Sequence, residues 1–369
     1  MSRAPASLLS VGEIEEMLKD QIESLVKDVF PNAMKEGHEM CVGSIAGEKG
    51  QSLRINIGNG SKRGWWKDFS GTEKGDALKL IASALFGGDI KKAVAWAKSW
   101  LRLDDEDPDR IKRHQLEARA RSAERAKAAE EEKRKATERA RNRWHQGVPI
   151  GGTLVEDYLR GRAIDFRPLG RAPGALRFHA GLAYGFQGPI LPAMVAMVTN
   201  LAGEHIATHR TWLKRDGSGK AGADEIGLDR RGQPNDPKKV MGGYWGGHIP
   251  IWKGAHREPL RDIPPGTDIY SGEGIEDAAT CACADPSLRV ICHISVGNLM
   301  ALELPPQMGR LILLKQNDPP GSDADRAFKR GIAHHRAQGR RVAIVEPPRG
   351  VKDLNDLATG ARKQEEVAE

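Results

Sequence analysis

Three acids in the last third of the chain, Glu273, Asp318 and Asp353, each follow a short apolar stretch that reads as a β-strand. From about Pro264 such stretches alternate with helix-like segments, the pattern of a parallel α/β sheet. Right-handed crossovers then bring the carboxyl ends of the strands to one edge, where ligands of open α/β sheets bind. Carboxylates gathered there repel one another. A hard divalent cation relieves that repulsion with a few carboxylates, water and substrate phosphates, and one or two such ions serve phosphoryl transfer. Gly272 and Gly274 flank Glu273 and allow the backbone a close approach to whatever sits there.

Cations suited to phosphates lie upstream. Arg210 sits in a strand-like run, and Lys220, Lys238 and Lys239 lie on Gly-rich loops. For Lys238 and Lys239 an ordinary solvated loop is an equal reading. Gly217-Ser218-Gly219-Lys220 lacks the spacing of a P-loop, which excludes an NTPase motor on that ground. Near the N-terminus Trp65, Trp66 and Phe69 stand among Lys62, Arg63 and Lys67. That mixture can stack on single-stranded bases while holding phosphates, or it can form the core of a small sheet. His205, His209 and His248 receive no role.

The elements that position these residues divide the chain into five parts. Residues 1–103 read as a small α+β unit, with Ser10 capping its first helix and Gly75-Asp76 opening a later one. Residues 104–148 form a charged tract without a sustained apolar stripe, read as a solvated helical linker. Residues 149–260 are strand-rich, with a hairpin that turns at Leu201-Ala202-Gly203-Glu204. The α/β unit follows over 261–362, and 363–369 are a tail. Ser322 and Asp325 read as a helix N-terminus, and ligation of a metal by Asp323 or Asp325 is the alternative.

With 57 Lys and Arg against 50 Asp and Glu, the net charge of +7 is mild, but its sign suits a phosphate-rich partner. Cys41, Cys281, Cys283 and Cys292 form no CxxC pair, so neither a zinc ribbon nor a disulfide framework is expected. No signal peptide or membrane span is visible, and the expected location is the cytoplasm.

The run Gly272-Glu273-Gly274-Ile275-Glu276-Asp277-Ala278, then Asn317-Asp318-Pro319-Pro320-Gly321, then Lys352-Asp353-Leu354-Asn355-Asp356-Leu357 resembles the Toprim family, the metal-binding domain shared by DnaG-type primases, topoisomerases and related nucleases. The resemblance implies a Rossmann-like fold binding Mg²⁺ or Mn²⁺. It makes Glu273 the acid/base or a metal ligand, Asp318 a ligand and Asp353 an auxiliary acid. The family's central motif is Asp-x-Asp, and here its first acid is Gln316, a neutral side chain.

The stretches 192–196, 209–213, 219–221 and 238–242 resemble the α+β core that precedes Toprim in phage and plasmid primases. Residues 64–69 with Gly75-Asp76 resemble the tail of the primase zinc-binding module. The ribbon's cysteines are missing, so a metal-free remnant without zinc is expected; His38 and Cys41 cannot make a four-ligand site.

These resemblances imply a primase-like enzyme of a phage, plasmid or other mobile element, making short RNA primers on single-stranded DNA from nucleoside triphosphates beside a separate helicase. Two alternatives stay open: a catalytically degenerate single-stranded DNA-binding or regulatory factor, with Gln316 as the trace of lost chemistry, and a Toprim nuclease.

Overall fold

The structure is a computed structural model that describes residues 9–71, 73–103, 108–229 and 232–360. The expected tail over 363–369 and the first linker residues, 104–107, lie outside the described residues. The chain divides into two compact units, Met1–Glu132 and Lys133–Glu369.

In the first unit Ser10 caps α1 (Val11–Asp20) and forms a reciprocal capping box with Glu13. The chain breaks at Gln21 before α2 (Ile22–Val29). The apolar periodicity runs through that break, since Leu18, Ile22, Leu25 and Val26 are all buried, so the pattern of apolar residues does not mark it. Five short strands follow: β1 (Met34–Glu36), β2 (Glu39–Val42), β3 (Leu53–Asn56), β4 (Trp66–Asp68) and β5 (Lys74–Gly75). They pair in chain order as an antiparallel meander. Only β2 and β3 are long enough to show in sequence. Asp76 caps α3 (Ala77–Phe86) and Asp89 caps α4 (Ile90–Trp100). These elements close one core that includes Leu18, Leu53, Ile55, Trp66 and Leu80.

The charged tract forms α5 (Pro108–His145). Its described side chains are mostly exposed, and several of them also make charge pairs. In the first unit Arg119 pairs with Glu13 at 2.8 Å, while Arg121 and Arg125 reach Asp20 at 3.3 and 2.6 Å. Charge pairs substitute here for an apolar stripe; the two made by the exposed Arg119 and Arg121 contribute about 1 kcal/mol or less each.

In the second unit the last turns of α5 supply buried Ala140 and Trp144. Thr208 Oγ1 donates to the carbonyl of Ala140 at 2.7 Å, and Trp144 Nε1 donates to that of Ala175 at 2.8 Å. Then come β6 (Val148–Pro149), α6 (Leu154–Gly161), β7 (Leu176–Ala183), β8 (Ile190–Thr199), β9 (His205–Trp212), α7 (Ala223–Ile226) and β10 (Lys238–Gly242). The sheet order is β10-β9-β8-β7-β6, antiparallel throughout. β8 and β9 make the expected hairpin. β8 is apolar on both faces because both are covered: Met194, Ala196 and Val198 enter one core, and Ala193 and Val195 another.

The last sheet holds β11 (Ile249–Trp252), β12 (Ile269–Gly272), β13 (Arg289–Cys292), β14 (Arg310–Leu314) and β15 (Arg341–Val345), in the order β11-β13-β12-β14-β15. Its helices are α8 (Ile275–Ala284), α9 (Val296–Leu299), α10 (Asp323–Ala337) and α11 (Leu354–Thr359). β12 to β15 are parallel as expected. The sheet is nevertheless mixed. β11, read in sequence with the preceding strand-rich segment, pairs antiparallel with β13 and closes the edge. Its Ile249 and Ile251 pack into the core shared by the two sheets, and burial overrides chain proximity to the earlier strands.

Candidate active site

The chain leaves β12 toward β13 on one side, then returns to place β14 on the other. The crevice between the carboxyl ends of β12 and β14 is therefore a switch point, where open α/β sheets bind ligands. Glu273 follows β12 there, and Asp318 lies in the loop after β14. Both line one small hollow with His293, Gln316 and Asp325. A cleft of about 310 Å³ adjoins it, lined by Glu273, Asp277, Asp353 and Gln316 from the last sheet, and by His209, Lys220 and Lys238 from the middle sheet and its loops.

Burial raises the Glu273 carboxyl above its ordinary range. The Val296 amide and Lys238 oppose that shift, Asp318 reinforces it, and Lys352 opposes it. Gly272 is needed for a different approach from the one expected. A Cβ there would meet the Ala278 amide nitrogen at 3.1 Å, so this glycine seats α8 against the strand end.

Asp277 is an acid of the site that sequence reasoning missed. Its spacing from Glu273, one helical turn on, was the available signal. Burial and then Asp353 push it up to about 7, although it accepts hydrogen bonds from the Asn355 amide at 3.1 Å and from Gln316 Nε2 at 3.2 Å. Asp353 caps α11, accepting from the Asp356 amide at 2.7 Å, and is at the same time one of the cleft carboxylates. Ser322 caps α10 as expected. Asp325 does not complete the capping box; it accepts from the Gly321 amide and from Lys329, both at 2.8 Å.

Lys220 lies in the cleft with its charge already engaged. It pairs with buried Glu276 at 2.9 Å, and Tyr158 donates its hydroxyl to the same carboxylate at 2.5 Å. Burial alone would raise Glu276, but Lys220 and Tyr158 hold it down at about 2. Arg162 pairs with Asp356 at 3.3 Å. Lys238 and Lys352 line the cleft with no ion pair among the described residues, which leaves their charges for a ligand. Lys352 was passed over in sequence although it stands beside Asp353. His209, also passed over, is buried in the cleft wall and pushed down to about 4, hence neutral.

Other expected phosphate ligands stand elsewhere. Arg210 pairs with Lys239 across β9 and β10, and successive side chains alternate faces, so both point away from the face of His209 and Lys238. Trp66 is only 1% exposed and donates from Nε1 to the Asp76 carbonyl at 2.9 Å, so it is a core residue and no stacking platform. Trp65 and Phe69, on the opposite parity of β4, are exposed.

Residues 268–362 match the family profile described as Toprim domain. This chain carries a Toprim domain. In this Toprim protein residues 134–251 match a second profile, described as Domain of unknown function (DUF7146). No curated protein matches the chain. Among solved structures it is similar to the primase fragment of the bacteriophage T7 primase-helicase protein, at 14% identity over 55% of this chain and 68% of that one, with a TM-score of 0.34. It is also similar to a chain in the structure of bacteriophage T7 lagging-strand DNA polymerase interacting with primase domains of two gp4 subunits bound to an RNA/DNA hybrid and dTTP. There the identity is 15%, over 55% of this chain and 83% of that one, with a TM-score of 0.32. No helix among the described residues is long and apolar enough to cross a membrane.

Among the described residues no three His, Cys, Asp or Glu side chains form a ready metal cage. The donors fit a cation of another kind. Asp318 disfavours the charge of Glu273, and Asp353 disfavours that of Asp277. A cation that takes few carboxylates and completes its shell with water and phosphates suits them.

Proposed function

We propose that this Toprim protein is a primase-like nucleotidyltransferase, joining nucleoside triphosphates on a single-stranded DNA template. The observation that carries the reading is the placement of Glu273 and Asp318 at the switch point of the Toprim sheet, facing Lys238 from the middle sheet. Glu273 and Asp318 would hold Mg²⁺ or Mn²⁺, with Asp277 and Asp353 beside them, and the ion would supply positive charge to the polyphosphate and the attacking oxygen. Lys238 and Lys352 bind phosphate oxygens of the incoming nucleotide. An oxygen of Glu273 left free of the ion accepts the proton of the attacking hydroxyl. Trp65 and Phe69 stack on template bases. A separate helicase partner, a phage or plasmid context and a cytoplasmic location belong to the same reading. So does the division into a zinc-free N-terminal module over 1–103, a helical linker over 104–148, a primase-core segment over 149–260 and a Toprim domain over 261–362, with β11 donated from the third to the fourth.

The test is template-directed incorporation of labelled ribonucleotides with Mg²⁺ or Mn²⁺. Product is expected from the native protein and is lost in Glu273→Ala. No product with either metal sinks the enzymatic reading. The degenerate reading has one observation in its favour: Gln316 turns a hydrogen-bond donor, not a ligand oxygen, toward Asp277. It predicts salt-sensitive binding of single strands without synthesis. Cleavage of labelled DNA in the same incubation would instead support a nuclease.

A further inference from the structure

The face of the middle sheet turned away from the acidic cleft carries a row of cations, with no acid at the strand positions between them. Strand register creates it. Lys239 lies opposite Arg210, Arg210 opposite Val195, and Val195 opposite Arg177, so all four side chains share one face of the pleat. Like charges directly opposite each other across a ladder cost stability, and Lys239 with Arg210 is such a pair. The cations are nevertheless held in place. Arg177 lies over Trp144 at 3.8 Å, Arg210 over Trp212 at 5.0 Å, and Lys239 over Tyr184 at 3.7 Å. The three rings are buried, so each charge has a fixed seat.

Arg143, at the end of α5, adds a fourth charge that both Arg210 and His179 feel. Arg143 donates to the side-chain oxygen of Gln146, and Arg177 to the carbonyls of His145 and Gly147, all neutral acceptors. None of the four cations has a carboxylate partner among the described residues. On the same face Nε of Arg210 and Nε2 of His179 are buried without a hydrogen-bond partner. An unpaired buried donor costs stability unless something else satisfies it.

An exposed ring stands in the turn two residues beyond Tyr184, the ring that seats Lys239. The turn after β7 is pinched, with the Tyr184 amide donating to the Pro189 carbonyl at 2.9 Å and Gln187 at a φ of 57°. Phe186 at its tip is 92% exposed. Backbone strain of that kind is kept where the surrounding structure needs it.

We propose that this face is a second binding track for single-stranded nucleic acid, separate from the cleft, in which Arg143, Arg177, Arg210 and Lys239 hold phosphates and Phe186 stacks on a base. Fixed cations with an exposed ring are the chemistry of single-strand binding. An acidic peptide or an anionic membrane would satisfy the charges and leave the ring unused. The proposal rests on the nucleic-acid reading of the protein and is independent of its catalysis.

The full chain is titrated, without divalent metal, against a dye-labelled oligo-dT across a salt series, with fluorescence anisotropy as the readout. Lys239→Gln, an exposed change that keeps the fold, weakens binding several-fold. Lys239→Gln with Arg177→Gln weakens it about 10- to 100-fold and lowers the slope of log K against log salt by about 1.4, the value for two lost phosphate contacts. Phe186→Ala weakens binding of the oligonucleotide but not of an abasic strand of equal length, and Phe186→Tyr restores it. Unchanged affinity and slope in both lysine variants overturn the proposal. So do equal competition by poly-glutamate, charge for charge, and failure of the native chain to bind the strand at all. No synthesis is scored, so a protein that binds as expected but makes no primer would fail the catalytic reading alone.

Discussion

The side-chain amide of Gln316 donates to Oδ2 of Asp277 at 3.2 Å. A position that holds a carboxylate in the resembled motif is here a neutral donor that steadies a buried acid. Asp277 already carries Asp353 as an unfavourable neighbour. A third carboxylate at that spot would need a cation to be tolerated, and the glutamine removes that need. On the proposed reading the site would therefore fold without metal, and would bind metal less tightly than a site with the extra charge.

Gln316→Asp should accordingly move stability and affinity in opposite directions. In chelator the variant melts lower, by about 1–2 kcal/mol, because it exchanges a hydrogen bond for a like-charge contact. Calorimetric titration with Mg²⁺ should show affinity raised about tenfold, or about 1.4 kcal/mol. Unchanged affinity would mean that side chain 316 does not face the cation.

Protonation of Asp277 sets a pH dependence of definite sign. Its folded value, about 7, lies above the ordinary 3.8, so the folded state binds the proton more tightly than the unfolded chain. The stability this contributes is fully present below about 3.8 and is lost as pH rises through about 7. Thermal melts of the metal-free protein should therefore show higher stability at pH 6 than at pH 8. Asp277→Asn should shrink that difference, and Mg²⁺ uptake near pH 7 should release protons.

Lys220 tests the difference between a ligand-binding lysine and one engaged in the fold. Lys220→Met leaves Glu276 buried and unpaired, and breaking a buried pair in this way costs about 3–5 kcal/mol. Lys220→Met with Glu276→Gln should recover much of that loss in urea unfolding. The pair also protects at low pH. Glu276 is held at about 2, below the ordinary 4.5, so its contribution is present above 4.5 and lost as pH falls toward 2. If Lys220→Met weakened nucleotide binding at unchanged stability, the lysine would be a phosphate ligand after all.

The adjacent tryptophans should separate cleanly. Trp66→Ala empties a core site and costs about 3–5 kcal/mol in chemical denaturation. Trp65→Ala should change stability by about 0.5 kcal/mol or less. On the proposed reading it weakens single-strand binding by about 1–3 kcal/mol, the range of one base stacked on a ring. Strand affinity unchanged by Trp65→Ala would remove the N-terminal sheet from the template path.

Much of this architecture is legible along the chain because its signals are local. Ser10, Asp76 and Ser322 announce helix starts through bonds that span three residues. The apolar runs of β12 to β15, each followed by its acid or turn, spell a parallel sheet, and Glu273 and Asp318 meet where that pattern puts them. What stayed hidden depends on which face a residue takes and on partners far away in the chain. A single step along β9 and β10 separates His209 and Lys238, in the cleft, from Arg210 and Lys239, behind it. One step along α8 turns Glu276 to Lys220 and Tyr158, while Asp277 meets Gln316. One step along β4 buries Trp66 and exposes Trp65. Residue type and spacing name the candidates, but side chains alternate at every residue of a strand, so pairing register and distant contacts choose among them.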